Sequence, residues 1–215
     1  MVGTEKGGVG KSTFTQNLAS IRSGQGRRVA VFDLDGQNST FKWAADRREA
    51  GGLPEVHVKR IAKGKKLDED EFAEELGELT EEYEDVFIDV GGQDSDVFRW
   101  GLAVADHVVV PLIPSPADLN TVPDLFDLVG TYTKKIPIQI VLNQADKRKL
   151  MTQAMIAQIE PFEHRLPRMK MLVAARESYK FAMAQGRGVA ELTGRYWDAA
   201  AANEMKDLYL GVFSL

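Results

Sequence analysis

The chain has 215 residues, room for one large α/β domain but not for two, and 44% of them are hydrophobic, enough to bury a core. It has no cysteine and three histidines, which excludes disulfides, thiol catalysis and cysteine-held clusters and argues against a zinc site. The formal net charge is −5, no apolar run is long enough to span a membrane, and no signal peptide is visible, so the expected compartment is a cytoplasm. In chain order, residues 1–5 read as a short strand leading into a glycine-rich loop, and helical periodicity covers 11–24. A strand follows at 28–34, then a short helix at Ser39–Ala50 and a longer one at 68–83. Next come a strand at 86–90, a short helix at 97–104 and a strand at 107–112. A helix at 118–133, with Asp118 as its N-cap, precedes a strand at 137–142 and a helix at 148–163. A last strand at 169–173 and a helical tail from about 199 complete the reading. Short, nearly continuous apolar strands are those covered on both faces. Their alternation with helices predicts an α/β fold with a mostly parallel twisted sheet, right-handed crossovers and helices on both faces, as a single domain over 1–215.

Charge is unevenly placed. Residues 68–96 carry fourteen acids and no lysine or arginine, the pattern of a solvated helix face. Residues 134–187 carry eleven lysines and arginines against four acids. That stretch reads either as another solvated face or as a surface for nucleic-acid phosphates.

Three segments carry chemistry. Lys6-Gly7-Gly8-Val9-Gly10-Lys11-Ser12-Thr13 lies between a strand and a helix, the context a phosphate loop requires. Its glycines allow backbone conformations closed to other residues, so that N–H groups approach phosphate oxygens, and the helix that follows points its positive end at the same place. Lys11 would reach the β- and γ-phosphates and Ser12 would ligate Mg²⁺. The commonest form of the motif has glycine where Glu5 stands, so this is a variant. In Val31-Phe32-Asp33-Leu34-Asp35-Gly36-Gln37, strand periodicity puts Asp33 and Asp35 on one side at the carboxyl edge, where they could hold metal-bound water and orient an attacking one. A third strand ends in Asp89 followed by Gly91-Gly92, an acid for a Mg²⁺-bound water and a segment able to respond to a γ-phosphate. Asn143, at the end of a later strand, offers an amide able both to donate and to accept, as contact with an adenine base needs.

The pattern K-G-G-V-G-K-S-T resembles the deviant Walker A box of the ParA/MinD superfamily. The resemblance extends through D-x-D-G-Q, where the family has proline instead of Gly36, and through the strand ending at Asp89. It continues in Ala105-Asp106-His107-Val108-Val109-Val110-Pro111 and Pro114-Ser115-Pro116-Ala117-Asp118, which look like small plasmid-type ParA proteins lacking an N-terminal helix-turn-helix domain. It implies ATP or ADP with Mg²⁺ as ligands and contact of Lys6 with the nucleotide of a facing subunit in an ATP-bound homodimer. It also gives Asp35 the steering of hydrolysis and Asp33 the outer shell of the metal. The function implied is an ATPase switch of weak intrinsic activity that binds nonspecific DNA, segregates plasmid or chromosomal DNA and answers to a centromere-binding partner. Candidate DNA contacts in the basic stretch are Arg165, Arg168, Lys170, Arg176, Lys180 and Arg187. Other occupations of the same fold are a MinD-like membrane-positioning ATPase, a conjugation or transport ATPase, and a small-molecule ligase or kinase. The tail after 203 has one lysine and two acids, poor material for a membrane-binding helix, so no membrane partner is expected.

Overall fold

The computed structural model describes residues 1–61, 65–91, 95–132 and 136–213. Gly92 and Lys134, which figured in the sequence reading, lie outside them. Among the described residues, six strands pair in parallel as two sets of three. One set is β2 (His57–Arg60), β1 (Val29–Asp33) and β3 (Asp85–Asp89), in that order. The other is β4 (Val108–Leu112), β5 (Ile138–Leu142) and β6 (Arg168–Leu172). Val2 joins them, forming parallel bridges to Asp89 on one side and to Val109 on the other. Its N–H donates to the Ile88 carbonyl at 2.9 Å, and on the opposite side the Gly3 N–H donates to the Val109 carbonyl at 3.0 Å. The segment feeding the glycine loop is therefore central, with β3, β1 and β2 leading away on one side and β4, β5 and β6 on the other. Such a topological switch point opens a ligand crevice at the carboxyl edge of the strands.

The period of two along each strand divides the core into two layers. Phe32, Ile88, Val110, Ile140 and Leu142 face α3 (Glu69–Glu82), α4 (Ser95–Val104), α6 (Val122–Gly130) and α7 (Leu150–Ile159). Val31, Phe87, Val109 and Val141 face α1 (Lys11–Gly24), α2 (Ser39–Ala50), α8 (Glu177–Met183) and α9 (Ala199–Phe213). Among the described residues, no helix is long and apolar enough to cross a membrane.

The elements depart from the sequence reading where local chemistry intervenes. The helix expected at 118–133 is two helices, α5 (Pro116–Leu119) and α6, with Pro123 in the first turn of the second. Proline has no N–H to continue the hydrogen-bond ladder from α5. The cap of α5 is Ser115, whose Oγ accepts from the Asp118 N–H at 3.1 Å, so Asp118 is not an N-cap. The helix expected at 148–163 closes at Ile159 and tightens into a 3₁₀ turn containing Pro161. β2 was missed: His57-Val58-Lys59-Arg60 is an edge strand that buries Val58 alone, leaving little apolar signal.

Candidate nucleotide site

The glycine loop leaves the central strand and runs straight into α1. Gly8 (φ 76°) and Gly10 (φ 99°) both lie in the left-handed region. Gly10 is the N-cap of α1 without a side chain to cap it, so the first N–H groups of the helix remain for a ligand. A Cβ on Gly10 would overlap Nδ2 of Asn143. That amide donates to the Val9 carbonyl at 2.7 Å, and its Oδ1 accepts from the Gln144 N–H at 2.9 Å. Asn143, expected to meet a base, braces the loop through one N–H and one lone pair of its amide.

Lys11 is buried, and its Nζ donates to the Lys6 carbonyl, closing the loop on itself. Burial lowers its pKa, against the opposing pull of Asp89 and Asp35. Lys6 points elsewhere. Its ammonium lies 3.9 Å from Asp118, on a side chain one-third exposed. Asp118 is itself fixed, accepting from Ser115 Oγ at 2.5 Å and from the Ile113 N–H at 3.3 Å. The proline turn thus stands beside the early lysine.

Two of the three carboxylates differ sharply in role. Asp33 is fully buried, with Oδ1 accepting from the Asp35 N–H at 3.1 Å and Oδ2 from the Phe41 N–H at 2.9 Å. It anchors the start of α2, and burial pushes its pKa up to about 6 despite those bonds. Each oxygen thus holds one backbone N–H and keeps a lone pair beyond it. Asp89 is also fully buried, with Oδ2 accepting from the Thr40 hydroxyl at 2.7 Å, while Oδ1 has no partner. Burial, then the charge of Asp33, pushes its pKa up to about 7, and the hydroxyls of Thr40 and Ser12 draw it down. Asp35 is half-buried and accepts from the Gln37 N–H at 3.0 Å, in the loop leaving β1. Gly91 lets that loop pack tightly, since a Cβ there would meet the Leu34 carbonyl oxygen at 3.2 Å.

These residues fit a nucleotide with a divalent cation. The loop offers glycine backbone, a helix N-terminus and a buried ammonium. The Ser12 hydroxyl lies against Asp89, whose free buried oxygen lacks a donor. Among the described residues, no group of three or more His, Cys, Asp or Glu could by itself hold a metal. Magnesium takes few protein ligands and completes its shell with water and phosphate.

The matches to known proteins agree with this geometry. Residues 1–189 match the CbiA family, described as the CobQ/CobB/MinD/ParA nucleotide binding domain. The chain belongs to that family. No curated protein matches it closely enough to name. Similar solved structures include a variant of McdA from Cyanothece in complex with ATP, at a TM-score of 0.74 and 15% identity, covering 100% of this chain and 96% of that one. A putative plasmid partition protein from Borrelia burgdorferi B31 bound to AMPPNP gives a TM-score of 0.72 at 17% identity, covering 97% and 96%. The septum site-determining protein MinD from Pyrococcus horikoshii OT3, complexed with Mg-ADP, gives 0.69 at 15%, covering 97% and 92%. At these identities the likeness is one of fold, and family membership rests on the first match.

The six basic residues considered for DNA do not converge. Arg165 lies over the Phe126 ring, 4.2 Å from its centroid, and Arg168 pairs with Glu163 at 3.3 Å. Both sit toward the amino ends of the strands, opposite the glycine loop, with Lys170 exposed on edge strand β6. Arg176, Lys180 and Arg187 lie on or beside α8. Arg176 is held by Glu204 at 2.7 Å, Lys180 pairs with Glu177 at 2.9 Å, and Arg187 donates to the Glu191 carbonyl at 3.1 Å. The sequence reading missed Thr40, which positions Asp89, and took Asp118, which faces Lys6, for an N-cap. A threonine seven residues past a strand-end aspartate gives no signal without the fold.

Proposed function

We propose that this protein is an ATP-hydrolysing switch that dimerises in its ATP state, binds DNA without sequence preference in that state and so segregates plasmid or chromosomal DNA. A centromere-binding partner would stimulate its weak hydrolysis and reset it. The observation that carries this reading is the divergence of the two loop lysines. Lys11 turns into its own loop, whereas Lys6 leaves it, partly exposed, beside the proline turn. A cation at the rim that does not serve its own phosphates is placed to serve those of a facing copy. In each subunit Gly7, Gly8, Val9, Gly10 and Thr13 would enclose the phosphates, and Ser12 and Asp89 would hold the cation's shell. Bound magnesium would neutralise charge that grows on the phosphates as the terminal bond breaks. Asp35, on the loop beyond β1, would orient the attacking water.

For DNA, the division of the basic residues favours the α8 side, with Lys180 and Arg187 carrying the contact and Arg176 committed to Glu204. The tail supports this reading over a membrane anchor, since α9 spends Met205, Leu208 and Tyr209 on the core. The deciding experiment is binding to random-sequence duplex DNA with ATP, ADP or no nucleotide, at two salt concentrations, with molecular mass followed in parallel. Expected is an ATP-dependent dimer that binds DNA and releases it at higher salt. A dimer that ignores DNA would retain the nucleotide switch and remove the DNA role.

A further inference from the structure

Asn38 ends the loop that begins at Asp35. It takes φ 52° and ψ 37°, a left-handed conformation that asparagine adopts more readily than most residues other than glycine. It is the N-cap of α2, where an asparagine side chain ordinarily accepts from an N–H of the first turn, yet it makes no such bond. Its Nδ2 donates to the Gly36 carbonyl at 3.1 Å, which fixes the orientation of the amide, because turning it over would set oxygen against oxygen. Oδ1 therefore points away from Gly36. It is buried on a residue 8% exposed, and it has no partner.

Next to it is the metal side of the site. The Asn38 N–H donates to the Asp35 carbonyl at 2.8 Å, and two residues further on Thr40 holds Asp89 at 2.7 Å. Asp89 Oδ1 is the other buried acceptor here without a donor. Two orphaned oxygens, on elements tied together by Thr40, both call for O–H donors. A hydrated divalent cation brings several.

We propose that Asn38 is a positioning residue for the nucleotide's cation, its Oδ1 accepting a hydrogen bond from a cation-bound water when Mg-nucleotide occupies the loop. The inference rests on the nucleotide reading above and deepens it. Its test compares wild type with Asn38→Gly, reading the affinity for a fluorescent ADP with and without Mg²⁺ by anisotropy. Glycine keeps the left-handed backbone and removes the amide. Expected is unchanged Mg-free affinity, with the Mg²⁺-dependent gain reduced about tenfold in Asn38→Gly, as for one lost hydrogen bond. A full gain in Asn38→Gly would overturn the proposal and leave Asn38 a backbone role alone. Equal loss with and without Mg²⁺ in Asn38→Gly would do the same. If wild type itself gains nothing from Mg²⁺, the nucleotide reading fails along with it.

Discussion

Lys11, Asp33 and Asp89 are buried ionisable groups gathered at one strand edge, and their mutual field decides how the nucleotide-free protein behaves. Removing the ammonium in Lys11→Ala should abolish nucleotide binding by calorimetry, since no other buried cation faces the loop among the described residues; retained affinity would place the phosphates elsewhere. The carboxylates give a pH dependence of definite sign. Burial raises Asp33 to about 6 and Asp89 to about 7 from an ordinary 3.8, so the folded chain holds their protons more tightly than the unfolded one. The stability they contribute is complete below the ordinary value and is lost as pH rises through about 6 and then about 7. In EDTA, the melting temperature should therefore fall between about pH 4 and about pH 7. Asp89→Asn should flatten the upper part of that fall; a melting temperature that climbs over this interval would show the carboxylates to be stabilised as anions. Much of this site was legible beforehand, because Lys6, Lys11 and Ser12 lie in one contiguous motif and Asp89 ends an apolar strand. What stayed hidden were contacts between distant segments. The Asn143 amide meets Val9, and Thr40 meets Asp89, only after the sheet forms.

At the scale of elements, α2 matters because it begins at Asp33 and Thr40 and ends in a buried clamp. Arg47 is 3% exposed and forms two 2.7 Å bonds to Glu191, while also donating to the Pro54 and Gly186 carbonyls. Trp43, one turn earlier, donates to the Arg187 carbonyl at 3.1 Å. The turn at Gly186 (φ 63°) fits against Arg47 so closely that a Cβ would overlap its backbone. Glu191→Ala would leave a guanidinium buried without its counter-charge, and the expected cost is about 3 kcal/mol in urea unfolding. A change below about 0.5 kcal/mol, the scale of ordinary surface substitutions, would mean that the two carbonyls suffice for Arg47. None of this was visible in the sequence, where Arg47 is one of several charges in a short polar helix. The strands were the easier elements, since apolar runs such as 107–112 and 137–142 have no other plausible use. Edge strand β2 escaped notice because three of its four residues are polar. The break between α5 and α6 was foreshadowed by Pro123 but masked by the apolar periodicity that runs across it.

For the whole molecule, residues 1–3 bridge two half-sheets, so the glycine loop hangs from the one segment that both halves share. The α/β fold and its ligand edge followed from the order of elements, whereas the face on which each charge would emerge did not. Hence the six basic residues of one stretch came to lie on different elements, Arg165 just before β6 and Arg168 at its start, Lys170 within it, and Arg176, Lys180 and Arg187 on or beside α8. The same placement frames the proposed dimer. Lys6 is held within its own chain by a 3.9 Å contact to Asp118, on a side chain one-third exposed. A pair of that kind contributes about 0–1 kcal/mol, little enough for a facing phosphate to displace. Lys6→Gln keeps the length of the side chain's polar reach but removes its charge, and it leaves Lys11 and the loop glycines in place. It should therefore still bind ATP, yet remain a monomer by light scattering under conditions where wild type doubles its mass with ATP. Asp118→Asn should do the reverse, loosening the tether and leaving the ATP dimer at least as strong. If Lys6→Gln dimerises as wild type does, the early lysine serves its own subunit, and the exposed rim beside the proline turn is not where two copies meet.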